Sequence, residues 1–314
     1  MTALYDIPAP AKLNLFLHII GRRPDGYHLL QSVFALIDWC DTLHFERRAD
    51  GRLARHDLGS ALPEDDLCLR AARALQSASG TTLGADIHID KQVPWGAGLG
   101  GGSSDAASTL LALNRLWGLD WPIERLLTLG LTLGADVPFF LGGHNAFVEG
   151  IGEQLTPLNL PPLELAVVKP ATNIETKAIF DSPLLVRNTD AVIVAGLTSR
   201  DGVLDLAQGY GRNDLQAAAT AQCGEVAQAA ALLEQRFGNS RMTGSGSAVF
   251  ARTGLVGGPD GHMSKDKGKG KSKEKGNSTS GPPMATMLPD LPAGWVGKMC
   301  HSLEQHPLAG WASK

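Results

Sequence analysis

The sequence predicts an α+β protein of two domains, and three observations lead to this prediction. The chain has 314 residues, which exceeds the usual size of a single domain. Segments with the alternating pattern of strands and segments with the spacing of helices are mixed along it. The pattern changes after the proline-containing stretch 157–162, so we predict a first domain at 1–160 and a second at 161–314.

The first domain is predicted to begin with two strands joined by a turn. Leu13, Leu15 and Leu17 alternate with the residues between them, a pattern that suits a strand with one buried face. The segment 22–26 reads RRPDG and predicts a turn, because proline presets one backbone dihedral and Asp-Gly supplies the reversal. A second apolar stretch then continues to Ile37.

The rest of the first domain is predicted to contain three helices and a strand. A helix at 67–77 has helical apolar spacing and follows three acidic residues, which favour a helix N-terminus. The segment 85–91 alternates and predicts a strand with one polar face. Two more helices are predicted from about 104 to 117 and from 122 to about 134; a glycine ends the first and a proline opens the second.

The second domain is predicted to contain short strands at 165–168 and 248–251 and an alanine-rich helix at 217–237. The segment 262–281 has six lysines and, apart from Met263, no large apolar residue. Such a segment cannot bury enough surface to offset its ordering entropy. We therefore expect a disordered insertion at about 260–286, in preference to a basic arm for an acidic partner.

Composition limits the classes of partner and compartment. The net charge of −4 gives no sign of nucleic-acid binding. The four cysteines are scattered without metal-ligand spacing, which predicts reduced, mostly buried thiols. No apolar run approaches the ~20 residues that span a bilayer, and the apolar stretch 13–20 lacks the features of a signal peptide. We expect a cytoplasmic protein without a membrane partner, either a monomer or a weak homodimer.

A glycine-rich loop, which we define as residues 94–105, is the strongest single candidate for a ligand site. Glycines let the backbone approach a phosphate closely, and the helix predicted directly behind adds partial positive charge. The serines at its end could donate hydrogen bonds or cap that helix. The residues expected to bind phosphate are Pro94, Gly96, Ala97, Gly98, Leu99, Gly100, Gly101, Gly102, Ser103 and Ser104.

The same loop also fits a dinucleotide-binding pattern. Gly96, Gly98 and Gly101 match G-x-G-x-x-G, and Asp120 follows about 20 residues later. However, the preceding strand alternates, whereas the first strand of a dinucleotide fold is buried on both faces. Asp120 also lies in a predicted turn, and no lysine precedes Ser103 as a Walker A loop would require. The loop alone therefore leaves an oxidoreductase open as the weaker reading.

Three separated motifs resemble those of the GHMP kinase superfamily: PAKLNL at 10–15, GLGGGSS at 98–104 and RMTGSGS at 241–247. Further segments are similar to the branch of that superfamily that phosphorylates diphosphocytidyl methylerythritol; these are RRPDGYH at 22–28, GADVPFF at 134–140 and RNDL at 212–215. The resemblance implies a two-domain GHMP kinase fold. Its N-terminal domain would be ribosomal protein S5 domain 2-like and its C-terminal domain ferredoxin-like.

The resemblance also implies a reaction. It is the ATP-dependent phosphorylation of the 2-hydroxyl of the diphosphocytidyl substrate, giving the 2-phosphate and ADP, in the non-mevalonate route to isoprenoid precursors. A GHMP-type kinase of another small alcohol is the alternative, although such a kinase would lack the Tyr27–His28 pair. The cofactors implied are ATP and Mg²⁺. No metal-ligand cluster stands out, and Ser103 or Ser104 is a candidate magnesium ligand.

The site residues follow from the resemblance, position by position. Asp136 is expected to act as the base on the substrate hydroxyl, with Lys12 as its counter-charge and orienting group. His28 would read the edge of the cytosine, between Tyr27 and Phe180 stacked on its faces. The remaining substrate contacts would come from Asn14, Thr176, Gly244, Ser245 and Gly246.

Overall fold

The computed structural model describes residues 1–255 and 288–313, so the insertion expected at about 260–286 lies outside the described residues. The strands are β1 (Ala3–Arg22), β2 (His28–Arg48), β3 (Leu53–Asp57), β4 (Gly84–Asp90), β5 (Ala146–Glu149), β6 (Gln154–Pro157), β7 (Leu163–Lys169), β8 (Arg241–Met242), β9 (Val249–Leu255) and β10 (Val296–His301). The helices are α1 (Leu67–Ser79), α2 (Gly101–Leu116), α3 (Ile123–Leu131), α4 (Val137–Gly142), α5 (Thr176–Phe180), α6 (Val194–Leu197), α7 (Arg200–Gln208), α8 (Gln216–Gln222) and α9 (Gly224–Phe237).

The first sheet is organised around the long strand β2. Strand β1 pairs antiparallel along one edge of β2, while β4 and β5 pair with different halves of its other edge. Strand β3 joins β4 in parallel, and β6 joins β5. The turn between β1 and β2 closes at the predicted RRPDG segment, where the N–H of Arg23 donates to the carbonyl of Tyr27 at 2.7 Å.

The second sheet is antiparallel, with the strand order β10-β7-β9-β8. Three apolar clusters separate four layers. One lies between the first sheet and helices α1 to α4, one between the two sheets, and one between the second sheet and α8 and α9. The chain passes from the first sheet to the second between Pro157 and Leu163; the division at residue 160 itself stays a prediction.

The C-terminal residues return to the first sheet after β10. Leu303 donates its N–H to the carbonyl of Leu36 at 2.8 Å, and His306 donates its N–H to that of Gly143 at 2.8 Å. Leu308 is buried in the cluster beneath the first sheet, with Trp311 packed against it. Leu308 and Trp311 therefore pack in the same apolar cluster as Ile7 and Ala9 of β1.

Two elements differ from the sequence-based expectations. Strand β1 is predicted to have one buried face, but both faces are buried: Leu13 and Leu15 are fully buried, and so are the residues between and after them, Asn14, Phe16 and His18. The alanine-rich helix predicted at 217–237 is two helices, since Cys223 has an extended backbone between α8 and α9. Alanine spacing continues through that break and gives no sign of it.

All four cysteines are free, and three of them are buried. No helix in the described part of the chain is long and apolar enough to cross a bilayer.

Candidate active site

A cleft of about 320 Å³ opens where β1, the glycine-rich loop and the segment after β8 meet. A second hollow of about 250 Å³ shares Gly96, Gly98 and Gly100 with it, so the glycine-rich loop forms a wall of both. The lining of the cleft is Lys12, Asn14, Leu17, Leu30, Phe34, Gly96, Gly98, Gly100, Asp136, Ile151, Gly152, Ile174, Thr176, Phe180, Leu215, Gly244, Ser245 and Gly246.

Most of the residues predicted for the site fall at these two openings. The phosphate-loop residues Pro94, Ala97, Leu99, Gly101, Gly102 and Ser103 line the second hollow, while Ser104 is buried inside α2. His28 does not line the cleft but packs beside Phe180, which does. Tyr27 is 61% exposed and lines neither opening, so the structure does not place its ring on a site.

Two carbonyls of the glycine-rich loop already accept backbone hydrogen bonds. The carbonyl of Ala97 accepts from the N–H of Ala248 at 3.1 Å, and that of Leu99 accepts from the N–H of Lys12 at 2.9 Å. In the described part of the chain, no N–H from Gly96 to Gly100 donates a hydrogen bond. Those donors and the N-terminus of α2 are the groups that a phosphate needs.

Glycine is required in this loop for two physical reasons. Gly98 has a φ of 74°, in the left-handed region, and a Cβ there would come within 2.4 Å of the carbonyl oxygen of Thr243. Gly100 has a φ of 72° and caps α2 without a side chain. Helix α2 therefore begins at Gly101, and of the two alternatives for Ser103 and Ser104 capping is excluded, because both lie inside its first turn.

Lys12 is held inside the cleft by β1. Its side chain is 5% exposed, and its Nζ donates to Oδ1 of Asn14 at 2.6 Å and lies 3.7 Å from Oδ2 of Asp136. Nζ also lies 4.5 Å above the ring of Phe34. Burial lowers the pKa of Lys12, and the carboxylate of Asp136 opposes that shift. Asp136 therefore stabilises the charged form of a lysine whose burial disfavours it.

Asp136 occupies the N-cap position of α4, yet its side chain makes no capping hydrogen bond. Its side chain is 31% exposed, at the wall of the cleft. The carboxylate is therefore free to meet a ligand while it stays paired with Lys12.

The segment after β8 is joined to β1 by hydrogen bonds that the sequence analysis missed. Oγ1 of Thr243 accepts from the N–H of Asn14 at 2.9 Å. Nδ2 of Asn213 donates to the carbonyls of Met242 and Gly244, at 2.7 and 2.9 Å. The signal for Asn213 was its place in the RNDL motif, but a motif cannot show which backbone it supports.

A buried charge cluster, defined here as Asp41, Lys91 and Asp105, lies behind the glycine-rich loop. Nζ of Lys91 pairs with Asp41 and donates to Oδ2 of Asp105 at 2.7 Å. Oδ1 of Asp41 accepts from the N–H groups of Gln92 and Val93, each at 2.7 Å. Burial raises the pKa of Asp105 well above its usual range, although Lys91 opposes the shift. The cluster fixes the start of the loop to the sheet.

The substrate side of the cleft contains a short helix, α5. Thr176 begins it, and its hydroxyl shares a hydrogen bond of 2.8 Å with that of Ser245. Phe180 ends it, with its ring centroid 5.0 Å from that of His28. Burial lowers the pKa of His28, and the neighbouring guanidinium of Arg187 lowers it further. Arg187 was not singled out from the sequence.

Comparison with known proteins decides the family. The family model described as "GHMP kinases N terminal domain" matches residues 66–144. A 4-diphosphocytidyl-2-C-methyl-D-erythritol kinase of Methylibium petroleiphilum is 63% identical over 314 residues, covering 99% of each chain. One of Albidiferax ferrireducens is 52% identical, covering 99% of this chain and 96% of the relative.

The chain belongs to the 4-diphosphocytidyl-2-C-methyl-D-erythritol kinase family, within the GHMP kinases. A crystal structure of 4-(cytidine 5'-diphospho)-2C-methyl-D-erythritol kinase has a TM-score of 0.68 and 36% identity, covering 82% of this chain and 91% of the other. The predicted family, the GHMP kinase fold and the assignment as an ATP-dependent kinase are confirmed. The oxidoreductase reading of the glycine-rich loop is wrong for this kinase.

Within residues 1–255 and 288–313, no group of three or more His, Cys, Asp or Glu side chains is placed to hold a metal ion. The hydroxyl of Ser104 is buried without a hydrogen-bonding partner among these residues. In kinases, Mg²⁺ usually takes only a few oxygen ligands from the protein, and phosphate and water supply the rest. The serines at the start of α2 fit such an ion.

Proposed function

We propose that this kinase transfers the γ-phosphate of ATP to the 2-hydroxyl of 4-diphosphocytidyl-2-C-methyl-D-erythritol. The relatives that carry this enzyme's name match almost the whole chain. The observation that carries the proposal is the pair of Lys12 and Asp136, 3.7 Å apart in a cleft walled by the glycine-rich loop. Phosphoryl transfer needs held phosphates, neutralised charge and a base, and these residues can supply all three.

The chemistry assigned to the residues is as follows. The N–H groups of the glycine-rich loop and of the first turn of α2 hold the phosphates of ATP. The substrate oxygen forms a bond to the γ-phosphorus as the bond to the β–γ bridging oxygen breaks, and ADP leaves. The hydroxyl proton passes to the carboxylate of Asp136. Lys12 orients that hydroxyl and balances the negative charge.

Ser103 or Ser104 would hold magnesium at the same site. When bound, the ion supplies positive charge that neutralises the phosphate oxygens. Ser103 lines the hollow beside the loop, and its Oγ lies 3.9 Å from where a Cβ on Gly134 would stand. That places the hydroxyl next to the turn that carries Asp136.

On the substrate side, we assign Phe180 and His28 to the cytosine, and Asn14, Thr176, Gly244, Ser245 and Gly246 to the methylerythritol and the phosphates. Tyr27 would have to swing over the base from its present position, because its side chain is exposed directly after the turn between β1 and β2. A planar base between two aromatic rings gains stacking energy on both faces.

Every residue in these assignments comes from one chain, so the site needs no second copy. We therefore propose a monomer or weak homodimer working in the cytoplasm on a small-molecule substrate. Light scattering after size-exclusion chromatography tests the oligomeric state. A stable larger assembly would contradict it.

The function is tested with purified protein, Mg-ATP and the diphosphocytidyl substrate, following ADP release and the new phosphate by ³¹P NMR. Mevalonate and homoserine serve as competing alcohol substrates. We expect turnover of the cytidyl substrate alone. Preferential phosphorylation of another alcohol would overturn the substrate assignment and leave the kinase assignment standing.

Replacing the base tests the mechanism. Asp136→Asn should lower kcat by about 10²- to 10⁴-fold, the usual contribution of a positioned base. Helix α4 loses no cap, but the buried ammonium of Lys12 loses its charged partner, so thermal stability should also fall. Asp66 is a matched control, since its carboxylate does cap a helix by accepting from the N–H of Leu69 at 3.0 Å. Asp66→Asn should lower stability, because it loses the ion pair with Arg55 at 2.8 Å, and should leave kcat unchanged. Turnover of Asp136→Asn within a few-fold of wild type would refute the assignment.

A further inference from the structure

The side chain of Arg187 connects His28 to the end of α5 and to the segment that follows it, by four hydrogen bonds. Its Nε donates to Nε2 of His28 at 3.1 Å. Its Nη2 donates to the carbonyls of Phe180 and Ser182 at 2.9 and 3.0 Å, and its Nη1 donates to that of Leu185 at 3.1 Å. The guanidinium thus fixes the imidazole relative to the backbone of the residue whose ring packs beside it.

The bond to Nε2 determines where His28 carries its proton. A guanidinium has only donors and stays protonated in proteins. Nε2 of His28 must therefore be the acceptor, and in a neutral imidazole the proton then sits on Nδ1. Burial and the charges of Arg187 and Arg22 lower the pKa of His28, whereas Asp181 raises it, so the neutral ring is favoured overall.

Nδ1–H of His28 is then a hydrogen-bond donor with nothing to donate to. No residue in the described part of the chain accepts from it, although the ring is half-buried. Its ring centroid lies 5.0 Å from that of Phe180, with 30° between the planes. A planar base stacked on Phe180 would bring its edge to this donor.

We infer that Arg187 is a positioning residue that fixes His28 as the Nδ1–H tautomer and so makes the site select cytosine over uracil. The inference rests on the proposed function, because it concerns the base of that substrate. The N3 atom of cytosine is a hydrogen-bond acceptor, whereas N3 of uracil carries a proton. A fixed Nδ1–H donor can form a hydrogen bond with N3 of cytosine, whereas it faces another donor at N3–H of uracil. A site with such an unmatched pair of donors binds the wrong base much more weakly.

The tautomer is tested directly by ¹⁵N NMR of the full chain labelled at its nine histidines, without ligand. His28→Gln assigns the signal. Wild type should show Nδ1 protonated and Nε2 unprotonated at neutral pH. Arg187→Met should move the signal towards the Nε2–H form, and a wild-type Nε2–H signal would overturn the inference. This measurement does not depend on any activity.

Arg55 offers a matched control for the loss of a structural guanidinium. It too donates to backbone carbonyls, those of Pro63 and Leu62 at 2.8 and 3.1 Å, and it lies at the edge strand β3 away from the cleft. Arg55→Met should leave the His28 signal and base selectivity unchanged. Equal effects of the two substitutions would show that Arg187 acts only on folding.

Selectivity is measured as the ratio of kcat/KM for the diphosphocytidyl substrate to that for its diphosphouridyl analogue. Arg187→Met should lower this ratio by about tenfold, the size of one hydrogen bond, through KM and not through kcat. If Arg187→Met does not fold, Arg187→Gln keeps donors for the carbonyls of α5 and takes its place. An unchanged ratio in a folded variant would overturn the inference.

A double-mutant cycle with His28→Gln separates positioning from general support of α5. If Arg187 acts through His28, adding Arg187→Met to His28→Gln should change the ratio little further. If the two substitutions each lower the selectivity ratio by the same factor alone and in combination, Arg187 does not act through His28. Absence of any turnover of the cytidyl substrate by wild type would instead overturn the proposed function, while the NMR result would still decide the tautomer.

Discussion

Burial lowers the pKa of both Lys12 and His306, but only Lys12 has a charged partner that opposes the shift. Lys12 retains Asp136, which opposes the downward shift of its pKa. His306 is 1% exposed, and its Nε2 has no hydrogen-bonding partner among the described residues. Burial lowers the pKa of His306 to about 4. Its Nδ1 accepts from the N–H of Leu308 at 3.1 Å, so the folded protein needs this ring neutral.

His306 therefore makes stability depend on pH. The unfolded chain binds a proton at this histidine below about pH 6.5, whereas the folded chain does not until about pH 4. The free energy of unfolding should fall as pH is lowered through this window, by roughly 3 kcal/mol in total from this group. His306→Asn keeps an acceptor for Leu308 and removes the titration. In urea denaturation at several pH values, the free energy of unfolding should fall more steeply with acid for wild type than for His306→Asn. An equal dependence on pH in the two proteins would contradict the prediction.

At the scale of elements, the segments that the sequence predicted well are those whose signals are local. Helix α1 begins after Asp66, as the acidic start indicated, and β4 alternates in burial as its residues do. The break at Cys223 and the cap at Gly100 were missed, because neither depends on apolar spacing. Both are set by how the chain packs around them.

The site was predictable only in part for the same reason. The family resemblance pointed to Lys12 and Asp136, whose side chains lie 3.7 Å apart in the cleft. The motifs could not identify Thr243 or Arg187, because the roles of these residues come from contacts with partners far away in sequence: Asn14 is 229 positions from Thr243, and His28 is 159 from Arg187. An ordinary threonine or arginine gives no sign of such contacts in one sequence.

Asn213 tests how much the segment after β8 relies on its support. Asn213→Asp would replace a double donor by a carboxylate facing the carbonyls of Met242 and Gly244. We expect kcat/KM to fall by about tenfold or more, since two buried acceptors lose their donor. Initial-rate kinetics for both ATP and the alcohol measure it.

Asn239 provides the control for that substitution. Its Nδ2 also donates to two carbonyls, those of Phe237 and Arg252 at 3.0 and 2.8 Å, but it lines neither opening of the site. Asn239→Asp should cost stability and spare kcat/KM. If both variants lose activity equally, Asn213 has no special effect on the site.

At the scale of the whole molecule, the four layers are held together by elements that belong to more than one apolar cluster. Strand β1 contributes to all three apolar clusters, through Ala9, Leu13 and Ile19 respectively. The C-terminal residues cross back from the second sheet to the first. A structure joined in this way should unfold as one unit, since neither sheet retains a complete core without the other.

Leu308 tests this joining. It is 3% exposed in the cluster beneath the first sheet, and Leu308→Ala should lower the free energy of unfolding by about 2–5 kcal/mol. The transition should stay single when followed by fluorescence and by circular dichroism. Leu184→Ala, at a side chain that is 53% exposed, should change little. Separate transitions for the two probes would show that the sheets unfold independently.

The contact between Gly98 and Thr243 has a consequence for biosynthesis. The glycine-rich loop is translated early, but the backbone against which it rests follows about 145 residues later, and the residues that close the first core come last. A ribosome-bound fragment that ends before Thr243 therefore has Lys12 and Asp136 but no second wall for the cleft. We expect such a fragment to lack kinase activity until the backbone around Thr243 has been made.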